Sequence, residues 1–162
     1  MAFLEKQLIV KTSQLPGSGK GLFTKKMIPK GTRIVEYKGK VSKWKELKNA
    51  WENGYIYSIN NNHVINAMPT KNALARYAND AQGIVRVKGI TNNCVYVNDG
   101  LKAYIESVKD IPAGGEILVQ YGKDYWDVQR ENLKIDRQQQ KQKTKEVPKK
   151  KIAKQKKKSG KK

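Results

Sequence analysis

Two segments of the chain share one order of apolar and polar positions. Each starts with Ile-Pro, passes a glycine, continues as an apolar run and ends at a tyrosine and a glycine: residues 28–39 (IPKGTRIVEYKG) and 111–122 (IPAGGEILVQYG). Proline and glycine favour a turn, and a short apolar run after a turn predicts a buried strand. A solenoid needs at least three repeats, so this repetition predicts one compact domain built from two similar β units. Each unit would bring a tyrosine, Tyr37 or Tyr121, to the middle of the domain.

Further apolar runs predict more short strands. A first strand is expected within residues 4–10. Two hairpins are expected at turns rich in Asn, Asp and Gly. Their strands are residues 55–59 with 63–67, and residues 94–97 with 101–108.

Helical periodicity occurs in two segments. In residues 42–53, Trp44, Leu47 and Trp51 fall on one face of a predicted helix that Ser42 could cap. We interpret this face as packing rather than as an aromatic cage. The second predicted helix runs from about Trp126 into the glutamines.

Charge divides the chain at about residue 137. The whole chain has a net charge of +20. Residues 138–162 hold twelve lysines and one glutamate, a net charge of +11, and residues 1–137 carry the other +9. A lysine-rich segment with few apolar residues cannot bury enough surface to fold. We therefore predict an ordered domain over residues 1–137 and a disordered tail over residues 138–162.

Cysteine and histidine are too scarce for several kinds of site. Cys94 is the only cysteine, which excludes an internal disulfide and a thiolate zinc cluster. We interpret it as a small buried apolar residue. His63, the only histidine, is expected in a solvated turn, and no metal site is predicted.

The sequence also predicts where the protein is found. It has no apolar run of about 18 residues and no signal-peptide core at the N-terminus, so we expect no membrane span. We expect an intracellular protein, in the cytoplasm or nucleoid of a bacterium or in the nucleus of a eukaryote.

The glycines near residue 20 allow two interpretations. Residues 16–23 (PGSGKGLF) lack the glycine six positions before the lysine, and the Ser or Thr after it, that a phosphate-binding loop needs. The segment is either a flexible hairpin turn or a stretch of backbone that lies against a ligand, because glycine permits close approach. Tyr121 likewise is either an amphipathic core residue or a side chain placed for chemistry.

Three motifs resemble those of a known family. They are Glu-Tyr-x-Gly at residues 36–39, Asn-x-x-x-Arg-Tyr-x-Asn at residues 72–79, and Gly-Glu-Ile-x-x-x-Tyr-Gly at residues 115–122. In kind and order they are similar to motifs of the SET domain, the fold of most protein lysine methyltransferases, over about residues 15–128. The resemblance implies a mostly β, β-clip-like fold with several short sheets, a knot-like crossing and few short helices.

The chain departs from the family pattern at several positions. Asp80 stands where the family usually has histidine, Ala81 replaces a serine, and Asn66 replaces an aspartate. Residues 82–91 are inserted before the Asn-Asn-Cys that corresponds to Pro-Asn-Cys, within the passage that forms the crossing. The cysteine-rich zinc segments that flank many SET domains are missing, so this would be a minimal form.

The resemblance also implies roles for individual residues. Tyr121 would help to align the methyl group and the amine, and Tyr37 would line the lysine channel. The implied substrate channel includes Tyr57, Val119 and Tyr125. The implied ligands of S-adenosylmethionine are Lys20, Gly21, Leu22, Tyr55, Arg76, Asn79, Asp80 and Trp126.

The implied function is methyl transfer from S-adenosylmethionine to a lysine of a basic protein. Val119 is smaller than the Phe or Tyr of many relatives, so products beyond monomethyl-lysine are expected. The alternative is a non-catalytic SET-like module anchored to DNA or chromatin, which the altered sequence at Asp80 and Ala81 favours. A purely structural β domain would leave the repeated tyrosines unexplained. A chain this small could complete its substrate groove as a homodimer.

The lysine-rich tail has several interpretations. An electrostatic anchor to nucleic acid is favoured, because a dozen lysines can neutralise several phosphates. The tail could instead be a targeting signal, a substrate methylated on its own lysines, or a solvated spacer.

Overall fold

The computed structural model describes residues 4–48 and 53–158, with side chains described as far as residue 143. Short 3-10 helices occur at Glu5–Gln7, Trp44–Glu46 and Leu74–Tyr77. The described strands and α-helix are β1 (Leu8–Thr12), β2 (Lys20–Thr24), β3 (Arg33–Glu36), β4 (Lys40–Ser42), β5 (Ile56–Asn60), β6 (His63–Asn66), β7 (Cys94–Asp99), β8 (Lys102–Ser107), β9 (Glu116–Ile117) and α1 (Lys123–Lys158).

The strands form three antiparallel sheets of three strands each, in the orders β1-β2-β9, β7-β8-β3 and β4-β6-β5. This confirms the predicted mostly β fold and both predicted hairpins. The strand predicted near the N-terminus is β1, which starts at Leu8 and follows a 3-10 turn.

The two repeated units exchange their last strands. Each repeated segment follows a hairpin in the chain. The hairpin β1-β2 precedes the first repeat, which contains β3, and the hairpin β7-β8 precedes the second repeat, which contains β9. However, β9 pairs with β2 and β3 pairs with β8. Each of these two sheets therefore combines a hairpin with the strand of the other repeat, so both repeats are needed to complete either sheet.

Matching backbone hydrogen bonds hold the two repeated segments in place. Ile28 and Ile111 exchange N–H···O bonds of 2.9 and 2.8 Å. The Gly31 amide donates to the Ser107 carbonyl at 2.8 Å, and the Gly114 amide donates to the Thr24 carbonyl at 2.7 Å. Both glycines have a positive φ, +80° and +79°, which glycine adopts without steric cost. The repeated Ile-Pro-x-Gly is thus one turn geometry used twice, 83 residues apart.

The predicted helix at residues 42–53 is wrong over its described part. Residues 40–42 form β4, which pairs with β6, and only Trp44–Glu46 is helical, as a single 3-10 turn. Pairing of Val41 with Ile65 across the sheet outweighs the local helical periodicity. Trp51 lies outside the described residues. His63 begins β6 and is partly buried instead of lying in the turn.

The segment after β9 lies between two others and is bonded to both. On one side the Val119 amide donates to the Asn79 carbonyl at 2.8 Å. On the other, the Asn93 and Cys94 amides donate to the Leu118 carbonyl at 3.0 and 2.9 Å. Both pairings are parallel bridges. This is the crossing that the resemblance implies.

The inserted residues 82–91 leave this crossing intact. Their ends are tied together by the Asn92 side-chain amide, which donates to Asp80 Oδ1 at 2.7 Å, and by the Ala81 amide, which donates to Asn92 Oδ1 at 2.8 Å. The insertion also contributes to a small second core of Leu15, Ala81, Val87, Ile90 and Leu118.

The chain divides into two compact units, Met1–Tyr121 and Gly122–Lys162. The second contains α1, which continues past residue 137, where we predict the ordered domain to end. Lysine and glutamine are both good helix formers, so local propensity favours a helix through a segment with too few apolar residues for a core. Residues 159–162 of the predicted tail lie outside the described residues. No helix in the described chain is both long and apolar enough to cross a membrane.

Candidate active site

The start of β2 is held by a side chain where a strand partner is missing. β9 pairs with Leu22 and Phe23 but not with Lys20 or Gly21. The Asn79 side-chain amide instead donates to the Lys20 carbonyl at 3.0 Å. Leu22 is fully buried and its backbone is paired on both sides. Lys20 and Gly21 therefore border the site, and Leu22 supports them from the core.

Gly21 makes room for a buried carboxylate. A Cβ at this position would lie 2.2 Å from Glu116 Oε1. Glu116 is only 4% exposed and accepts hydrogen bonds from the Ser13 hydroxyl at 2.6 Å and the Gln14 amide at 2.8 Å. Its Oε1 lies 3.5 Å from Asn79 Nδ2. Glu116 thus fixes both the loop before β2 and the asparagine that holds the start of β2.

Arg76 forms a second wall from the 3-10 helix Leu74–Tyr77, which packs against β2. Its guanidinium lies 4.2 Å from the centre of the Tyr55 ring, and its Nη1 donates to the Met68 carbonyl at 3.1 Å. The Arg76 Nε is buried without a hydrogen-bond partner among the described residues. A buried donor without a partner is costly, so Arg76 has capacity to bind an acceptor.

Tyr121 is fixed at both its backbone and its hydroxyl. Its amide donates to Asp80 Oδ2 at 2.9 Å, and its hydroxyl donates to the Ala78 carbonyl at 2.6 Å. Asp80 also accepts the Gln82 amide at 2.8 Å through Oδ1. The carboxylate that replaces the family's histidine therefore organises the crossing around Tyr121. Its side chain is committed to internal bonds, so a ligand contact at this residue falls to its main chain.

Three further tyrosines form one aromatic cluster, which we call the tyrosine cluster: Tyr37, Tyr57 and Tyr96. The ring centres are 5.8 Å apart for Tyr37 and Tyr57, 5.7 Å for Tyr37 and Tyr96, and 4.7 Å for Tyr57 and Tyr96. The Tyr37 hydroxyl donates to the Tyr55 carbonyl at 3.1 Å, and the Tyr57 hydroxyl donates to Asn98 Oδ1 at 2.9 Å. Tyr121 packs against the same core cluster as all three.

Burial raises the pKa of two members of the tyrosine cluster, Tyr96 and Tyr57. The pKa of Tyr96 is raised well above 10.0, first by burial and then by the nearby Tyr121, Tyr37, Tyr57 and Asp80. The pKa of Tyr57 is also raised by burial, although its hydrogen bond to Asn98 opposes the shift. The cluster thus forms a partly apolar wall that carries hydroxyl groups.

Tyr96 and Glu116 are the site residues that sequence reasoning did not select. Tyr96 follows Cys94 by two positions in β7, so strand alternation places it on the same face as a residue predicted to be buried. That alternation was the available signal. Glu116 belongs to the motif at residues 115–122, which was the available signal, but its burial could not be predicted because its partners Ser13 and Gln14 are about 100 residues away in the chain.

The remaining predicted residues lie in the main core or in α1. Val119 is fully buried in the main core with Cys94, which confirms the interpretation of Cys94 as a buried apolar residue. Burial raises the pKa of the Cys94 thiol to about 12. Tyr125 and Trp126 lie in the first turns of α1, in the second unit, and their rings pack edge to face 5.0 Å apart. No group of three or more His, Cys, Asp or Glu in the described residues could hold a metal ion.

The chain is similar to known proteins in both sequence and structure. A family model described as the SET domain matches residues 19–122. The methyltransferase domain of human PR domain-containing protein 2 is similar in structure, with 26% identity and a TM-score of 0.54 over 72% of this chain and 78% of that chain. A chain of a humanised mutant of Polycomb Repressive Complex 2 from Chaetomium thermophilum, bound to an inhibitor, shares the fold. It has 24% identity and a TM-score of 0.58 over 76% of this chain and 16% of its own length. A search of curated protein sequences found no match.

Proposed function

The chain belongs to the SET-domain family, and from that premise we propose that it is a protein lysine methyltransferase that uses S-adenosylmethionine. The observation that carries the proposal is the hydrogen-bonded junction at Ala78–Asp80. Asn79 binds the start of β2 through Lys20, while the residues on either side of it bind the hydroxyl and the amide of Tyr121. One short segment therefore links the predicted cofactor residues to the predicted catalytic tyrosine.

The residues of the first unit fit S-adenosylmethionine. The buried, unpaired Nε of Arg76 suits the carboxylate of the methionine part. The start of β2 has no strand partner on the side that Asn79 borders, so a ligand can lie close to its backbone there. We assign Arg76, Tyr55, Asn79 and the main chain of Lys20, Gly21 and Asp80 to the cofactor.

The chemistry that the bound cofactor supplies is a methyl group on a positively charged sulfur. The protein must then position a neutral lysine amine in line with it, because alignment provides much of the rate. A partly desolvated channel lowers the pKa of the incoming lysine and favours its neutral form. The tyrosine cluster supplies such walls, and the fixed hydroxyls of Tyr37 and Tyr121 provide polar groups for orienting the amine.

The substitution at Asp80 bears on the non-catalytic alternative. Its carboxylate accepts hydrogen bonds from the amides of Gln82 and Tyr121 and from the Asn92 side chain. The change from histidine therefore coincides with an ordered crossing, and Tyr37, Tyr121 and Asn79 are retained. These observations favour the enzyme over a binding module without activity.

The substrate that we propose is a lysine side chain of a basic protein. We test this by incubating the full chain with S-adenosylmethionine and a panel of lysine-rich proteins, and by locating added methyl groups with mass spectrometry. Methyl groups on lysine that disappear with Tyr121→Phe are expected. Methylation confined to other residue types, or unaffected by this variant, contradicts the proposal.

We further propose that the product carries more than one methyl group, because Val119 leaves more room than an aromatic residue. Val119→Phe should shift the product towards monomethyl-lysine in the same assay. A wild-type protein that adds only a single methyl group after prolonged incubation would refute this. Light scattering on the same sample measures whether the active species is the homodimer that a chain this small could form.

A further inference from the structure

The two halves of α1 differ in charge although they form one continuous helix. Residues 123–137 contain four basic and four acidic residues, a net charge of zero. Lys123 and Arg130 both pair with Asp127, the latter at 2.7 Å, and Lys134 pairs with Glu131 at 3.1 Å. The first half is therefore balanced within itself.

The second half, residues 138–158, has no such balance. It contains ten lysines and one glutamate, a net charge of +9. At 1.5 Å per residue, these 21 residues extend over about 31 Å. The lysines are spread along the whole segment, with three consecutive lysines at residues 149–151 and again at residues 156–158.

This charge distribution distinguishes between kinds of partner. A helix that lies on a membrane surface needs a broad apolar face, and a coiled coil needs apolar residues every three to four positions. Val147, Ile152 and Ala153 are the only aliphatic residues of the second half, apart from Pro148, and they form neither pattern. A duplex carries one phosphate charge per about 3.4 Å along each strand. A net charge of +9 over about 31 Å matches the charge density of one such strand.

We propose that residues 138–158 bind the phosphate backbone of double-stranded DNA without sequence preference. The basic segment is about as long as one turn of the double helix, and it neutralises several phosphates along that turn. Binding releases counterions, so the affinity falls steeply with salt. The first unit and the neutral half of α1 contribute little to it.

The test uses the full chain and a fluorescent duplex of about 20 base pairs, roughly twice the length of the basic segment. Affinity is measured at several salt concentrations for the wild type and three variants. In the tail variant, Lys149–Lys151 and Lys156–Lys158 become glutamine, which preserves helix propensity. In the second variant the same six lysines become arginine. In the third, six exposed lysines of the first unit become glutamine: Lys25, Lys26, Lys40, Lys45, Lys71 and Lys102.

The tail variant should lose at least about tenfold in affinity near physiological salt, with a clearly shallower salt dependence. The arginine variant should bind like the wild type, and the first-unit variant should change much less although its net charge equals that of the tail variant. Equal losses in the two glutamine variants would show a general effect of net charge and overturn the proposal. A wild type that binds single-stranded RNA or anionic lipid vesicles more tightly than the duplex would overturn it as well.

Discussion

The sheets β1-β2-β9 and β7-β8-β3 are built alike but differ where their last strand ends. In the second sheet, β3 continues alongside β8 until the Tyr37 amide donates to the Ala103 carbonyl at 2.8 Å. The equivalent carbonyl in the first sheet belongs to Lys20, 83 residues earlier. There β9 has already turned into the crossing, and Asn79 supplies the hydrogen bond from its side chain. Because one strand departs early, the start of β2, which we assign to the cofactor, has no strand partner on that side.

A second difference lies at Arg33 and Glu116, which are 83 residues apart and occupy the same position in β3 and β9. In the second sheet Arg33 stacks 4.5 Å from the centre of the Tyr104 ring and pairs with Asp99 at 2.9 Å, close to solvent. In the first sheet Gly21 occupies the place of that tyrosine, and Glu116 fills the space next to it. The space beside the strand therefore holds an exposed ion pair in one sheet and a buried carboxylate in the other. The candidate site borders the sheet whose last strand leaves early and whose buried carboxylate lies next to Asn79.

Removal of the hydroxyls of Tyr121 and Tyr37 should give the largest effect and distinguish the two repeated segments, residues 111–122 and 28–39, most clearly. Tyr121→Phe breaks the bond to Ala78 and is expected to lower kcat about 100-fold, because small errors of alignment cost rate. Tyr37→Phe, near the end of the other repeated segment, should lower kcat less. Steady-state kinetics with a lysine substrate measure both. A Tyr121→Phe variant as fast as the wild type would remove Tyr121 from the reaction.

Addition of a side chain at Gly21 should destabilise the first sheet. Gly21→Ala places a methyl group against the Glu116 carboxylate, and displacing that carboxylate from its partners should cost about 1–3 kcal/mol of unfolding free energy. Urea unfolding measures the loss. Glu116→Ala in the same chain should cancel much of the extra cost of Gly21→Ala, since the clash disappears. Simple additivity of the two changes would contradict the geometry.

Exchange of the equivalent charged residues Arg33 and Glu116 for glutamine tests the second difference. Glu116→Gln weakens hydrogen bonds that the buried carboxylate accepts, and it should cost about 1–2 kcal/mol. Arg33→Gln removes a solvent-exposed ion pair and should change unfolding much less. Urea unfolding midpoints of the two variants are compared directly. A greater loss for Arg33→Gln would reverse our assignment of the buried, structurally critical charge.

The pKa of Cys94, where β7 meets the crossing, predicts a smaller effect of pH. The folded thiol has a pKa of about 12, raised by burial, so it stays protonated when the unfolded chain has begun to ionise. This contribution to stability is fully present at neutral pH and is lost as the pH rises above the unfolded pKa. The wild type should therefore lose up to about 1.4 kcal/mol per pH unit more than Cys94→Ala under alkaline conditions. Urea unfolding of both proteins at several pH values measures this difference. If their unfolding free energies change equally with pH, the thiol is exposed to water and not buried.

The features that the two sheets share could be predicted from local sequence, whereas their strand pairing depends on distant residues. The Ile-Pro-x-Gly repeat predicts both turns, because proline and a glycine with positive φ determine the backbone within a few residues. The exchange of β3 and β9 could not be predicted, since either strand could pair with its own hairpin. The failed helix after Ser42 has the same origin, because the partner of β4 is more than 20 residues away.

The candidate site shows the same limit. Tyr37, Tyr121 and Asn79 were selected from the repeat and from family motifs, and the structure places them in the first unit, around the crossing. Whether they bind cofactor or substrate stays a prediction. Tyr96 was missed because a tyrosine in an alternating strand is ordinary until its neighbours are known. Glu116 was missed because its partners come from a loop at the other end of the chain.

The most direct test of the account is calorimetric titration of S-adenosylmethionine into the full chain, with Asn79→Ala and Asn62→Ala alongside the wild type. Asn79 holds the exposed edge of β2, whereas Asn62 lies in an exposed hairpin turn and provides the same chemical change elsewhere. We predict saturable binding to the wild type and to Asn62→Ala, and binding at least about tenfold weaker to Asn79→Ala, the effect of losing one well-placed interaction. Absence of binding to the wild type at millimolar cofactor, or equal binding by Asn79→Ala, would contradict the account.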